Sequence, residues 1–107
     1  MALIFPHEFI AKTAIHSVKA NLAKELVSRG MTQRSIADLL ESQTSTISQY
    51  VGGTRGNTYD LSESTTRLMS LVCDAIINNP EQEIVTYGIS QICDHIIKEE
   101  YGFHFRD

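Results

Sequence analysis

The sequence predicts an all-α fold of five helices in a single domain. Apolar residues recur at steps of three and four along most of the 107-residue chain. No stretch alternates with period two for long, and breaks rich in Gly, Asn or Pro separate the periodic runs. Apolar residues make up 42% of the chain and charged residues 21%, which suits a packed core and excludes a disordered chain. No apolar run approaches the roughly 20 residues that span a bilayer. The start, MALIFPHEF, has neither a basic segment nor a long apolar one, so no signal peptide is expected and the chain is expected to be cytoplasmic.

The first helix is expected over residues 6–29. Ala11, Ile15, Val18, Leu22 and Leu26 form its apolar stripe, Pro6 suits its first turn, and Gly30 stops it. Thr32 opens the second helix, since its hydroxyl can accept a first-turn amide, and Ile36, Ala37, Leu39 and Leu40 supply the buried side. The polar residues Glu41, Ser42, Gln43 and Thr44 form a turn. A short third helix follows over 45–51, burying Ile47 and Val51 with Tyr50 alongside, and Gly52 and Gly53 end it. Residues 54–60 (TRGNTYD) form a loop. Ser62 caps a fourth helix to about residue 78 with Leu68, Leu71, Val72, Ala75 and Ile76 on its apolar side; Asn78, Asn79 and Pro80 break it. The fifth helix runs over 81–100 on Val85, Ile89, Ile92 and Ile96, widened by Ile84, Gly88 and Ile97. Glu81 and Glu83 complement the positive end of its dipole. The aromatic tail YGFHFRD docks or frays.

The net charge of −4 hides an asymmetry: residues 1–59 carry six Lys/Arg against four Asp/Glu, residues 60–107 three against nine. A polyanion is repelled by the second part and tolerated by the first.

The stretch TQRSIADLLESQTSTISQYV at 32–51 meets the requirements of a DNA-reading helix-turn-helix. Ala37 is small where the second helix must cross the first. Ile36, Leu40, Ile47 and Val51 can fill the angle between them. Gln43, Thr44, Ser45, Ser48 and Gln49 then form a polar face suited to base edges, because Gln bridges two groups of an adenine and Ser or Thr bonds to bases or phosphates. Gln33, at the start of the first motif helix, can hold a phosphate, and Arg34 and Arg55 are candidate phosphate clamps on either side.

These segments, QRSIADLL at 33–40 and TISQYVGGTRG at 46–56, resemble the helix-turn-helix of small archaeal and bacterial transcriptional regulators of the lambda-repressor/Cro-like class. The ending is most similar to archaeal members, some free-standing and some fused ahead of a thiamine-phosphate synthase domain. The resemblance implies that residues 6–58 bind double-stranded DNA through Gln33, Gln43, Thr44, Ser45, Ser48 and Gln49. Two departures stand out. The family usually has glycine in the turn, where this chain has Glu41, and archaeal relatives often carry a C-x-x-C in the last helix, where Cys93 is followed by Asp94, His95 and Ile96.

The pair of helices over 61–100 exceeds what the motif needs and is rich in isoleucine, so it is expected to join two copies into a homodimer, as one recognition helix contacts few bases. His7, His16, His95 and His104 have no ligand partner at i+4 in this reading. No nucleophile, phosphate-loop or dinucleotide motif is present, so neither catalysis nor a cofactor is expected. Two further readings stand beside the regulator: a protein-interaction module such as an antitoxin or adaptor, and a redox or metal sensor built on Cys73, Cys93 and His95.

Overall fold

The computed structural model describes residues 5–102, and every described element is helical. Helix α1 (Pro6–Phe9) passes through a π-helical turn (Ile10–Ala14) into α2 (Ile15–Ser28). Then follow α3 (Gln33–Leu39), α4 (Thr44–Gly52), α5 (Glu63–Asn78) and α6 (Gln82–Tyr101). Counting the first three segments as one continuous helix gives the five expected. Most of the aromatic tail, residues 103–107, and the first four residues lie outside the described part.

The π turn corrects the phase of the first helix. A π turn holds one residue more than an α turn, so the buried stripe shifts around the axis as it passes. Ala14 is buried and Ala11 is exposed, while Phe9 and Ile10 pack on the core from the near side. Phe9 thereby meets Tyr59 and Tyr101 edge-on, at ring-centre distances of 5.4 and 6.3 Å.

Helix α2 lies at the centre. Val18, Leu22 and Leu26 are buried to 1% exposure or less, and α2 touches α3, α4, α5 and α6. Small residues, Ala20 and Ala23, let those helices approach it. Both side-chain caps predicted from the sequence form: Thr32 Oγ1 accepts from the Ser35 amide at 3.1 Å, and Ser62 Oγ from the Thr65 amide at 3.0 Å. Each cap stabilises its helix by about 1 kcal/mol.

Helix α5 buries Val72 and Ile76 as expected but is rotated toward Met69 and Cys73 relative to the expected stripe. Thr65, Met69, Val72, Cys73 and Ile76 are buried, while Leu71 and Ala75 face out and Leu68 is half-buried. Apolar residues cover more than half of its circumference, so the stripe alone does not fix which part faces α2. Helix α6 packs on α5 after a three-residue connection. The two come so close that a Cβ at Gly88 would collide with Val72 Cγ1. Outside this contact, Leu71 (64% exposed) and Tyr87 (67% exposed) flank a groove of about 240 Å³ bordered by Leu68, Ala75 and Ile84.

Arg29 fastens the two halves. Its guanidinium donates to Glu25 at 2.8 Å, to Ser70 Oγ at 2.8 Å and to Asp74, so the end of α2 is clamped to α5. The first turn of α5 is held to α6 by Glu99, whose carboxylate accepts from Thr65 Oγ1 at 2.6 Å and Ser62 Oγ at 2.8 Å. These bonds hold the Glu99 carboxyl below the usual carboxylate range. His95 is less isolated than its sequence context suggests: Nε2 lies 2.9 Å from Ser64 Oγ and 3.8 Å from Glu99, at i+4. Hydroxyl and carboxylate approach the same ring nitrogen, so this is a packing contact between α5 and α6 and not a relay for a nucleophile.

Candidate nucleic-acid interface

Helices α3 and α4 are joined by residues 40–43. Ser42 donates its amide to the Ala37 carbonyl at 2.9 Å, and Glu41 takes φ +51°. Among the described residues Glu41 alone enters the left-handed region without being glycine. The position where the resembled family has glycine therefore keeps the glycine backbone under a different side chain. The left-handed region costs an L-residue about 1–2 kcal/mol, and glycine loses part of that gain through its freer unfolded chain. Glu41→Gly is expected to stabilise the fold by about 0.5–1 kcal/mol and to raise Tm by about 2–6 °C. Calorimetry showing an unchanged or lower Tm would count against a strained turn.

The turn sets α4 against α2 and α3. Ile47 is fully buried and Tyr50 is 3% exposed, whereas Val51 is only half-buried, so Tyr50 takes the inner place expected for Val51. The helix starts one residue earlier than expected, with Gln43 at its cap position. No side chain caps it, which leaves its first amides open to an outside acceptor.

The opposite face of α4 carries Thr44, Ser45, Ser48 and Gln49, all exposed, with Gln43 exposed at the helix start. Spacings of one, four and five residues put these side chains on one side of the helix. Ser45 Oγ donates to Gln43 Oε1 at 3.5 Å, and Arg55 donates to Gln49 Oε1 at 3.3 Å. Six of the eight candidate residues are thus assembled on α4 and the loop after it. Gln33 and Arg34 sit on the first turn of α3, Gln33 half-buried and Arg34 exposed; among the described residues neither is hydrogen-bonded to the α4 face. Thr32 already satisfies the Ser35 amide, so α3 offers a phosphate less than an open helix start would.

The loop bearing Arg55 is held from three sides. The Thr54 amide bonds to the Gln49 carbonyl at 3.1 Å, Asn57 Nδ2 to the Gly53 carbonyl at 3.0 Å, and the Tyr59 amide to the fully buried Ser17 Oγ at 3.0 Å. Gly56, at φ +76°, lies directly on α2: a Cβ there would stand 2.6 Å from the His16 carbonyl oxygen and 2.7 Å from Ala20 Cβ. Lys24 of α2 borders a shallow cavity that Gly56, Asn57 and Asp60 of the loop also line. Sequence reading counted Lys24 among the cations but gave it no role, because only the packing of α2 on the loop brings it here.

Two cations of the basic half are engaged inside the protein. Arg29 is held by Glu25 and Asp74, and Lys12 lies 3.8 Å from Glu8. Arg34, Arg55, Lys19 and Lys24 make no ion pair among the described residues.

Both cysteines are buried. Burial pushes the Cys73 thiol up to about 12 and raises Cys93 as well, which disfavours the free thiolate that rapid oxidation requires. Among the described residues no three His, Cys, Asp or Glu side chains are grouped to hold a metal ion, and no helix is long and apolar enough to cross a membrane. No protein-family model matches the chain, and no curated protein or solved structure matches it.

Proposed function

We propose that the chain is a sequence-specific, DNA-binding transcriptional regulator of the lambda-repressor-like helix-turn-helix kind, acting in the cytoplasm as a homodimer. The observation that carries this reading is the exposed, uncharged face of α4, five hydrogen-bonding side chains opposite a buried Ile47 and Tyr50. Such a face suits base edges in the major groove, where a bidentate Gln distinguishes adenine and hydroxyls bond to either kind of pair. The open amides at the start of α4, and the exposed Arg34 and Arg55, which make no ion pair among the described residues, suit phosphates. The antitoxin or adaptor reading, in which the acidic helices α5 and α6 bind a basic partner, stands second because it leaves the exposed polar face of α4 unused.

The homodimer rests on the outer face of α5 and α6. Leu71 and Tyr87 stand largely exposed beside an apolar groove, a cost in water that a second copy would relieve. Two copies also supply two recognition helices for a two-fold site.

Selection from a random DNA pool should return a short site with two-fold symmetry. Ser48→Ala and Gln49→Ala are each expected to weaken binding to that site by about 1–3 kcal/mol and to relax preference at one position per half-site. If both variants bound the selected site and random DNA as the parent does, α4 would not be the reading helix.

A further inference from the structure

A second cleft, of about 280 Å³, lies between α2, the turn after α3 and the first half of α6. We propose that it binds a free α-amino acid with an apolar side chain, and that this ligand adjusts α4; the second part rests on the DNA-binding reading.

Four features specify the ligand. Lys19, from α2, is half-buried at the cleft and has no carboxylate within ion-pair distance among the described residues. A cation at the cleft with no protein carboxylate beside it favours an anionic group brought by the ligand. Glu41, from the turn, is the acidic residue of the same cleft and suits a ligand cation. Leu39, Leu40, Val85 and Ile89 make the apolar floor. Thr86 and Ser90 also line the cleft, and Ser90 Oγ donates to the Thr86 carbonyl at 2.9 Å, which leaves its lone pairs free to accept. One cation, one anion and an apolar floor match a carboxylate, an ammonium and a hydrocarbon side chain. The small volume suits a molecule of that size better than a nucleotide or a larger cofactor.

The coupling follows from position. Glu41 and Leu40 belong to the turn that sets α4, and Glu41 sits in the left-handed region, where a modest pull changes the balance of backbone states. Gln82 donates from α6 to the Asp38 carbonyl at 3.2 Å, closing one end of the cleft against α3. A ligand seated between Lys19 and Glu41 therefore has differential contacts with the two sides that position the recognition face.

The test uses calorimetry on the full chain with L-leucine and L-isoleucine, together with isopentylamine, which lacks the carboxylate, and 4-methylpentanoate, which lacks the ammonium. The amino acids should bind, and each truncated analogue should bind at least about tenfold more weakly. Lys19→Gln should bring L-leucine down to the affinity of isopentylamine, and Glu41→Gln should bring it down to that of 4-methylpentanoate. No binding by either amino acid, or binding indifferent to Lys19, overturns the site. Affinity for the selected DNA, measured with and without saturating L-leucine, should change several-fold; leucine binding without such a change, in a chain that does bind DNA, overturns the coupling. A chain that binds L-leucine in this pattern but no DNA keeps the cleft assignment and loses the regulator reading instead.

Discussion

Gly56→Ala is expected to cost about 2–5 kcal/mol of folding free energy, a large share of what a domain of this size possesses. Two effects add. An L-residue at φ +76° carries about 1–2 kcal/mol of left-handed strain. The new methyl also meets the His16 carbonyl and Ala20 Cβ, both parts of the central helix, at distances that real atoms do not sustain. Relief requires the loop to lift off α2, at the 1–3 kcal/mol or so typical of overpacking. The Tyr59 amide would then part from the buried Ser17 hydroxyl, leaving a polar group stranded inside. Urea unfolding should show a lower midpoint at an unchanged slope. Gly52→Ala serves as the control, since Gly52 is in the helix and nothing stands within 4 Å of a Cβ there. Equal stability of parent and Gly56→Ala would mean that the loop does not rest on α2 as described.

If two copies join through α5 and α6 as proposed, Leu71→Glu is expected to separate them without harming the fold. Leu71 is 64% exposed, so its replacement leaves no cavity, whereas a carboxylate placed in a symmetric apolar contact meets its own image. Sedimentation should change from dimer to monomer at micromolar concentration. Affinity for the two-fold DNA site should fall by about 10²–10⁴-fold, because linking two half-site contacts is worth that much, while thermal unfolding of the isolated chain keeps its two-state form. A parent chain that is already monomeric at high micromolar concentration would remove the dimer from the proposal.

The parts of the fold legible in the sequence are those governed by neighbours along the chain. Thr32 and Ser62 are caps because a hydroxyl three residues before a free amide can reach it, and both caps form. The polar face of α4 follows from helical spacing alone. Three other features depend on partners far away in the chain. Ala11 is exposed because the π turn changes the phase, and nothing in IAKTA announces an extra residue in the turn. Leu71 and Ala75 are outside because α5 has apolar groups on two sides and only α2 and α6 decide between them. Lys24 and the Ser17–Tyr59 bond meet the loop after α4 from across 32 and 42 residues, through packing that no local pattern encodes. The approach of His95 to Glu99 is legible in the sequence, since four residues separate them on one helix.

The clamp on Arg29 has a consequence for how tightly any polyanion is held. Arg29 belongs to the basic half of the sequence, but the fold holds it between Glu25 and Asp74, where it ties α2 to α5. If the chain binds DNA as proposed, few unpaired cations remain for phosphates, so little affinity comes from counterion release and binding should weaken only gently as ionic strength rises. On that proposal, discrimination between sequences rests on groove hydrogen bonds and on two copies acting together, a regime that favours selectivity over strength.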